Sequence, residues 1–371
     1  MKPLLKMSLS ILIALSALVA ESQILIGQST GLTGSSSANV AETSAGAALY
    51  LKDVNSKGGV YGQKIELLAL DDKSDVKLTV ENTRQLIEDK KVVAMFLTRG
   101  TPQTEAIIGL LDKYHVPLIA PSTGAMVLHH PVQKHIFNVR ATYQREAEKA
   151  IAHLGTLGIK RIAIIQTNDS FGADGTTGIV KGLTALGLSA AANEKIDRLN
   201  PDFSKIIPKI MASNPQAIVI IAASQNVAIG VKAVRTAGSS AQIVTLSNNA
   251  SYGFVQSLGQ YASGVIVSQV FPNERSITYA FVKEAQDLIK SSDVKLALSP
   301  AMLEGVAAAK VLVEALRRAG VNPTREKLQM ALENLKKFDL GGLEISFGLD
   351  DHTGLDFSDL SIIGADGKFK R

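Results

Sequence analysis

ILIGQSTGLTGSSSANVAETSAGAALYLKDVNSKGGVYGQKIELLALDD, residues 24–72, is the stretch on which the fold turns. Ile24, Leu25 and Ile26 make a short apolar run that stops at Gly27, as a strand buried in a parallel sheet does. A loop of small hydroxyl and glycine residues follows, Ser29 to Ser37, with Ser36 or Ser37 placed to cap a helix. The helical pattern carries Val40, Ala41, Ala45, Ala48, Leu49 and Val54 and stops at Gly58-Gly59, where left-handed backbone is cheap for glycine. A second strand, Ile65 to Leu70, leads into Asp71-Asp72. This is one β-α-β unit, and ligands of open parallel sheets bind beyond the carboxyl ends of such strands.

The alternation continues. A helix over Val76–Ile87 is followed by a strand over Val92–Leu97 and the loop Thr98-Arg99-Gly100-Thr101-Pro102. Another helix and a strand over Val116–Ala120 end in Pro121-Ser122-Thr123-Gly124. Ile136–Arg140 reads as a strand leaving the first unit. A second series begins at Tyr143, with strands at Arg161–Gln166, Ser189–Glu194, Ala217–Ala222 and Ile243–Leu246, a helix opening near Asn200-Pro201, and a polar loop over Ser247–Tyr252. Val265–Val270 is a strand heading back towards the first unit. Helices over Ser276–Ile289, Pro300–Ala319 and Pro323–Leu335 come next, then short strands at Leu343–Phe347 and Leu360–Ile363. Alternation of this kind implies parallel sheets covered by helices on both faces.

At 371 residues the chain suits two domains. Its 46% hydrophobic and 20% charged content describes a globular protein, and a formal charge of +5, dispersed and without basic runs among aromatics, argues against nucleic acid as a partner. Lys2 and Lys6, then an apolar Ser8–Ala20 too short to span a bilayer, then small residues, read as a secretory signal peptide over residues 1–22. The chain has no cysteine, which excludes disulfides, thiolate metal sites, a cysteine nucleophile and a lipid anchor on cysteine. The expected location is therefore a periplasm, as a free and monomeric protein.

The motifs of catalysis are missing. There is no G-x-G-x-x-G, P-loop or H-E-x-x-H, so no enzyme and no cofactor is expected. Asp71 and Asp72 are adjacent on a strand and point to opposite faces, which suits structural roles. His129, His130 and His135 have no ligand-like spacing and read as part of a surface crossing loop. What remains are small polar loops at strand ends, foremost Thr98–Thr101 and Ser122–Gly124, the way a binding cleft is built without chemistry.

Leu32-Thr33-Gly34, Asn55, Gly58-Gly59, Gly62, Ile65, Leu67 and Asp71-Asp72, with Asp169-Ser170-Phe171-Gly172 and Asn200 to Phe203 further on, resemble the periplasmic solute-binding proteins of branched-chain amino acid (leucine/isoleucine/valine-binding) ABC transporters. The resemblance covers nearly the whole chain beyond the leader. It implies an α/β fold of two doubly wound, Rossmann-like lobes joined by a three-segment hinge, the type I periplasmic-binding fold. Residues 23–140 with 272–348 would form one lobe and 141–271 with 349–371 the other. It also implies a small amino acid of branched-chain type, or a related carboxylate, as the small-molecule ligand in the cleft, and the membrane permease of an ABC importer as partner. A ligand sensor regulating a partner protein shares this fold and is the alternative.

By the same resemblance the ligand residues are Thr98, Arg99 and Thr101 with the intervening Gly100, Ser122, Thr123 and Gly124, and from the second lobe Phe171, Ser224 and Asn248. Three departures stand out. Arg99 replaces a small hydroxyl residue, Phe171 and Ser224 stand where tyrosine is frequent, and no carboxylate occurs at Ser247–Asn249, where an acid would pair a ligand ammonium. A guanidinium offers a planar fork to a carboxylate. These departures make an aromatic or aliphatic organic acid, rather than an amino acid, the alternative cargo.

Overall fold

A computed structural model describes residues 23–292 and 297–371; the leader read at 1–22 lies outside the described residues. The first series runs β1 (Ile24–Thr30), α1 (Ser37–Ser56), β2 (Ile65–Asp71), α2 (Val76–Glu88), β3 (Ala94–Phe96), α3 (Thr101–Tyr114), β4 (Leu118–Ile119) and β5 (Ile136–Phe137). Its strands form a five-stranded, all-parallel sheet in the order β2-β1-β3-β4-β5. The Asn55 side chain holds the start of β2, donating to the Ile65 carbonyl at 2.8 Å and accepting from its N–H at 2.9 Å. That contact accounts for an asparagine just before the glycine pair.

The second series runs α4 (Tyr143–Thr156), β6 (Ile162–Thr167), α5 (Ser170–Ala185), β7 (Ala192–Ile196), α6 (Ile207–Ala212), β8 (Ala217–Ile221), α7 (Ser224–Thr236), β9 (Gln242–Thr245), α8 (Tyr252–Leu258) and β10 (Ile266–Gln269). The chain then returns to the first lobe as α9 (Ala280–Lys290), α10 (Pro300–Ala319), α11 (Arg325–Glu333) and a small hairpin, β11 (Phe338–Asp339) with β12 (Glu344–Ile345). It crosses a third time to add β13 (Asp359–Ile363) and β14 (Phe369–Lys370). The second sheet is seven-stranded, in the order β14-β13-β10-β9-β8-β6-β7, with β13 and β14 antiparallel at one edge.

Each sheet is buried on both faces, as parallel sheets require. In β6, Ile162 and Ile164 enter one apolar cluster and Ala163 and Ile165 the other. Burying each such isoleucine contributes about 1.5–3 kcal/mol. In the first lobe Ala94 and Phe96 face α10, while Met95 faces α2 and α3.

Four departures from expectation bear on how the chain is laid out. Asp202 folds its carboxylate onto the Ser204 N–H and hydroxyl, making a turn, so the helix expected from Asn200 begins at Ile207. The helix expected from Ser276 begins at Ala280. The loop expected over Ser247–Tyr252 holds a 3₁₀ turn at Ser247–Asn249 and then α8, whose cap Ser251 accepts from the Phe254 N–H at 3.1 Å. Strands β3 and β4 are shorter than their apolar runs because Leu97 and Ala120 adopt left-handed backbone, at φ +51° and +53°. The two strands break there together and meet again in a single bridge between Arg99 and Ser122.

The lobes are in contact across the cleft. Glu42 of α1 accepts from the Tyr252 and Gly253 N–H groups at 3.0 and 2.7 Å, capping α8 from the opposite lobe. Gln225 N–H donates to the Ser35 carbonyl at 3.2 Å, and Ala301 N–H to the Ala250 carbonyl at 2.9 Å.

Candidate functional site

The paired breaks at Leu97 and Ala120 turn two strand ends into one platform at the carboxyl edge of the first sheet. Left-handed backbone in non-glycine residues is held only where the surroundings enforce it, and it concentrates at functional sites. From this platform Arg99 projects into the space between the lobes. Its Nη1 donates to Asn39 Oδ1 and Ser122 Oγ, each at 2.8 Å, and its Nη2 to the Asn248 carbonyl of the second lobe at 2.6 Å. Arg99 is 7% exposed. Among the described residues no carboxylate lies within ion-pair distance of it. Burial lowers its pKa; Tyr143 and Glu304 oppose that, and the charges of Arg140 and Arg198 add to it.

A small cavity opens beside Arg99. The first lobe supplies Ser36, Arg99, Gly100 and Thr101, and the second Tyr143, Phe171, Arg198, Ala223 and Asn248. No Asp or Glu lines it. Three helices start on it: Ser36 precedes α1, Gly100 precedes α3 and Ala223 precedes α7, and none of these caps bonds its helix through a side chain. Helix amino ends carry unpaired N–H donors and a partial positive charge, which suits an anion. Tyr143 and Phe171 form the aromatic wall, with ring centroids 4.9 Å apart.

Of the residues picked from sequence, Arg99, Gly100, Thr101, Phe171 and Asn248 line this cavity, and Ser122 holds the arginine in it. The others are occupied elsewhere. Thr98 Oγ1 lies 3.1 Å from Thr104 Oγ1, and Thr123 Oγ1 lies 2.8 Å from Thr101 Oγ1. Ser224 donates to Asn249 Oδ1 at 2.9 Å. Gly124 packs against the first crossing, where a Cβ would lie 2.5 Å from the Ala141 carbonyl oxygen. Ser36, Tyr143, Arg198 and Ala223 were missed. Arg198 follows the carboxyl end of β7, so the strand-end rule used for the other loops points to it as well.

Behind the cavity lies a second buried arginine. Arg140 donates to Glu146 Oε1 and Ser247 Oγ at 2.5 Å and approaches Glu304 Oε1 at 3.5 Å. Glu146 also accepts from the Ser247 N–H at 2.9 Å and the Ser268 hydroxyl at 2.5 Å. Burial alone would lower the Arg140 pKa, but the Glu304 and Glu146 carboxylates outweigh it and raise it. Asp71 accepts from Thr33 and Lys73, and Asp72 from Ser29, Ser74 and Thr79, so both act as strand-end anchors. His129 sits beside Thr353 Oγ1 and His135 beside Gln329 Oε1. Both are buried, where a surface crossing loop was expected. Among the described residues no group of three or more His, Cys, Asp or Glu is arranged to hold a metal ion.

The family model described as periplasmic binding protein matches residues 23–357. The Leu/Ile/Val-binding protein BraC3 of Rhizobium johnstonii is 24% identical over 347 residues, covering 92% of each chain. An amino acid binding protein of Pseudomonas aeruginosa is 22% identical, covering 76% of this chain and 77% of its own. Among solved structures, a substrate-binding periplasmic protein from Ralstonia solanacearum superposes with a TM-score of 0.88 at 31% identity, covering 94% of this chain and 99% of that one. A branched-chain amino acid ABC transporter protein of Thermus thermophilus, solved with bound valine, superposes at 0.82 and 18% identity over 94% and 95%. Two doubly wound lobes, three crossings, a cleft at the carboxyl edges of both sheets and a family match over nearly all of the described chain agree: the protein belongs to the periplasmic binding protein family, whose type I members are substrate-binding proteins and not enzymes.

Proposed function

We propose that the protein is a periplasmic receptor that captures a small carboxylate lacking an amino group and delivers it to an ABC importer. The observation that carries the reading is Arg99, buried in the cleft with only neutral partners. A buried charge without a counter-charge is costly, and a cargo carboxylate would supply the missing one. The uncapped amino ends of α1, α3 and α7 favour the same sign of charge. A cargo ammonium would find no acid among the lining residues.

In this reading the lobes, divided near residues 140, 271 and 348, open and close about their three connections. The cargo first meets the Arg99 platform, and closure then brings Asn248, Phe171 and Tyr143 over it. The test is a thermal-shift screen of short organic acids against leucine and valine, since a ligand selective for the folded form raises the melting temperature. Calorimetry on the hits follows. Stabilisation by acids alone is the expected result; stabilisation by leucine or valine alone returns an amino acid to first place.

A further inference from the structure

The cavity holds a second guanidinium, and it is only half used. Arg198 lies on the second lobe, its backbone carbonyl tied to Asn226 Nδ2 at 2.9 Å. Its Nε donates to Asp169 Oδ2 at 2.6 Å, and its guanidinium carbon lies 5.7 Å from the centroid of the Phe171 ring. Its Nη2 is buried and has no hydrogen-bond partner. Asp169 leaves that nitrogen unmet, its Oδ1 accepting instead from the Gly172 N–H at 3.1 Å and the Thr167 hydroxyl at 3.0 Å. Arg198 and Arg99 line one cavity, approached from opposite lobes, and no acid lines it with them.

We infer that the cargo is a small dicarboxylate, one carboxylate held by Arg99 on the first lobe and the other by Nη2 of Arg198 on the second. This rests on the carboxylate reading given above and narrows it. A single carboxylate would answer Arg99 and leave the Arg198 donor buried and unmet, a cost that hydrogen-bonded sites avoid. Two carboxylates separated by a short carbon chain answer both, with the chain lying along Tyr143 and Phe171. The second contact forms only when the lobes meet, so Arg198 makes closure depend on the far end of the cargo. Arg99 sets capture, and Arg198 sets selection between dianions and monoanions.

Calorimetric titration of the full mature chain with succinate, butyrate, L-aspartate and L-leucine tests this. Succinate should bind about tenfold or more tightly than butyrate, since a charge-assisted bond is gained at the second end. Arg198→Gln should remove that preference, bringing succinate affinity down to that of butyrate, and Arg198→Lys should keep part of it. The wild-type comparison needs no variant, so a folding defect cannot obscure the answer. Equal binding of succinate and butyrate overturns the second-anion assignment and leaves the carboxylate reading standing. Leucine binding with both acids silent overturns both readings. Aspartate binding tighter than succinate keeps the second anion and removes the claim that the cargo lacks an ammonium. No binding by any of the four, or a succinate preference that survives in Arg198→Gln, overturns the inference.

Discussion

Arg99 and Arg140 are both buried in one protein and are built to opposite plans. Arg140, at the first crossing, has two carboxylates and a hydroxyl around it, and its charge is matched within the fold. Arg99, on the cleft platform, has an amide oxygen, a hydroxyl and a carbonyl, and its charge is unmatched. The first plan makes a rigid junction, because removing either sign strands the other in low dielectric. The second keeps a charge in reserve for a partner from outside.

The largest effect should come from breaking the matched site. Arg140→Met leaves Glu146 and Glu304 buried without their cation and should cost about 3–5 kcal/mol in chemical denaturation. A loss below about 1 kcal/mol would remove the distinction between the two arginines.

The unmatched site should respond in affinity and not in stability. Arg99→Ala should weaken an acid ligand by about 1.5–3 kcal/mol, roughly ten- to a hundredfold in calorimetry. Its denaturation midpoint should stay near wild type, and Arg99→Lys should recover only part of the affinity, since a point charge replaces a fork. Unchanged affinity in Arg99→Ala would make Arg99 a second structural arginine.

A titration should sharpen the same contrast. His129 is pushed down to about 4 by burial, with the Arg140 charge adding and Asp351 opposing. A base whose folded pKa is depressed contributes stability that is complete above its unfolded value near 6.5 and is lost as pH falls towards 4. Burial raises Glu42, Asp72, Asp174 and Glu274, which act in the opposite sense, so the wild-type curve mixes the two. The difference between wild type and His129→Gln isolates the histidine. That difference should vary between pH 6.5 and 4 and be flat above, and a flat difference throughout would show His129 to be solvated.

The smallest effect concerns a hydroxyl that the cleft does not use. Thr98→Val should leave affinity within about threefold while costing on the order of 1 kcal/mol of stability, because it strands the Thr104 hydroxyl. A tenfold loss of affinity would extend the binding platform beyond Arg99.

The fold was legible because its signals are periodic. The strand, loop, helix and glycine pair of residues 24–59 occur in the structure nearly where they read, and Pro300–Ala319 is a helix at the limits read from sequence. The short elements were harder. Seven residues of α8 give too little periodicity to stand out from a polar loop. In the site, Arg99 was legible because it follows an apolar strand. Thr98 and Thr123 look alike in sequence whether they face a ligand or another threonine, and only packing decides. Glu304 did leave a signal, a single acid among Met302, Leu303 and Val306 on the buried side of α10, and such a residue asks for a buried cation.

The grip of Glu42 on α8 carries a consequence for how such a receptor changes over generations. Glu42 holds two backbone N–H groups and no side chain of the facing lobe. Position 252 can therefore drift through any residue but proline without loosening the clasp. On the function proposed above, a closed geometry secured in this way would be inherited separately from the cleft residues, leaving the Arg99 and Arg198 surfaces free to be retuned to a new solute while the proposed closure stays the same.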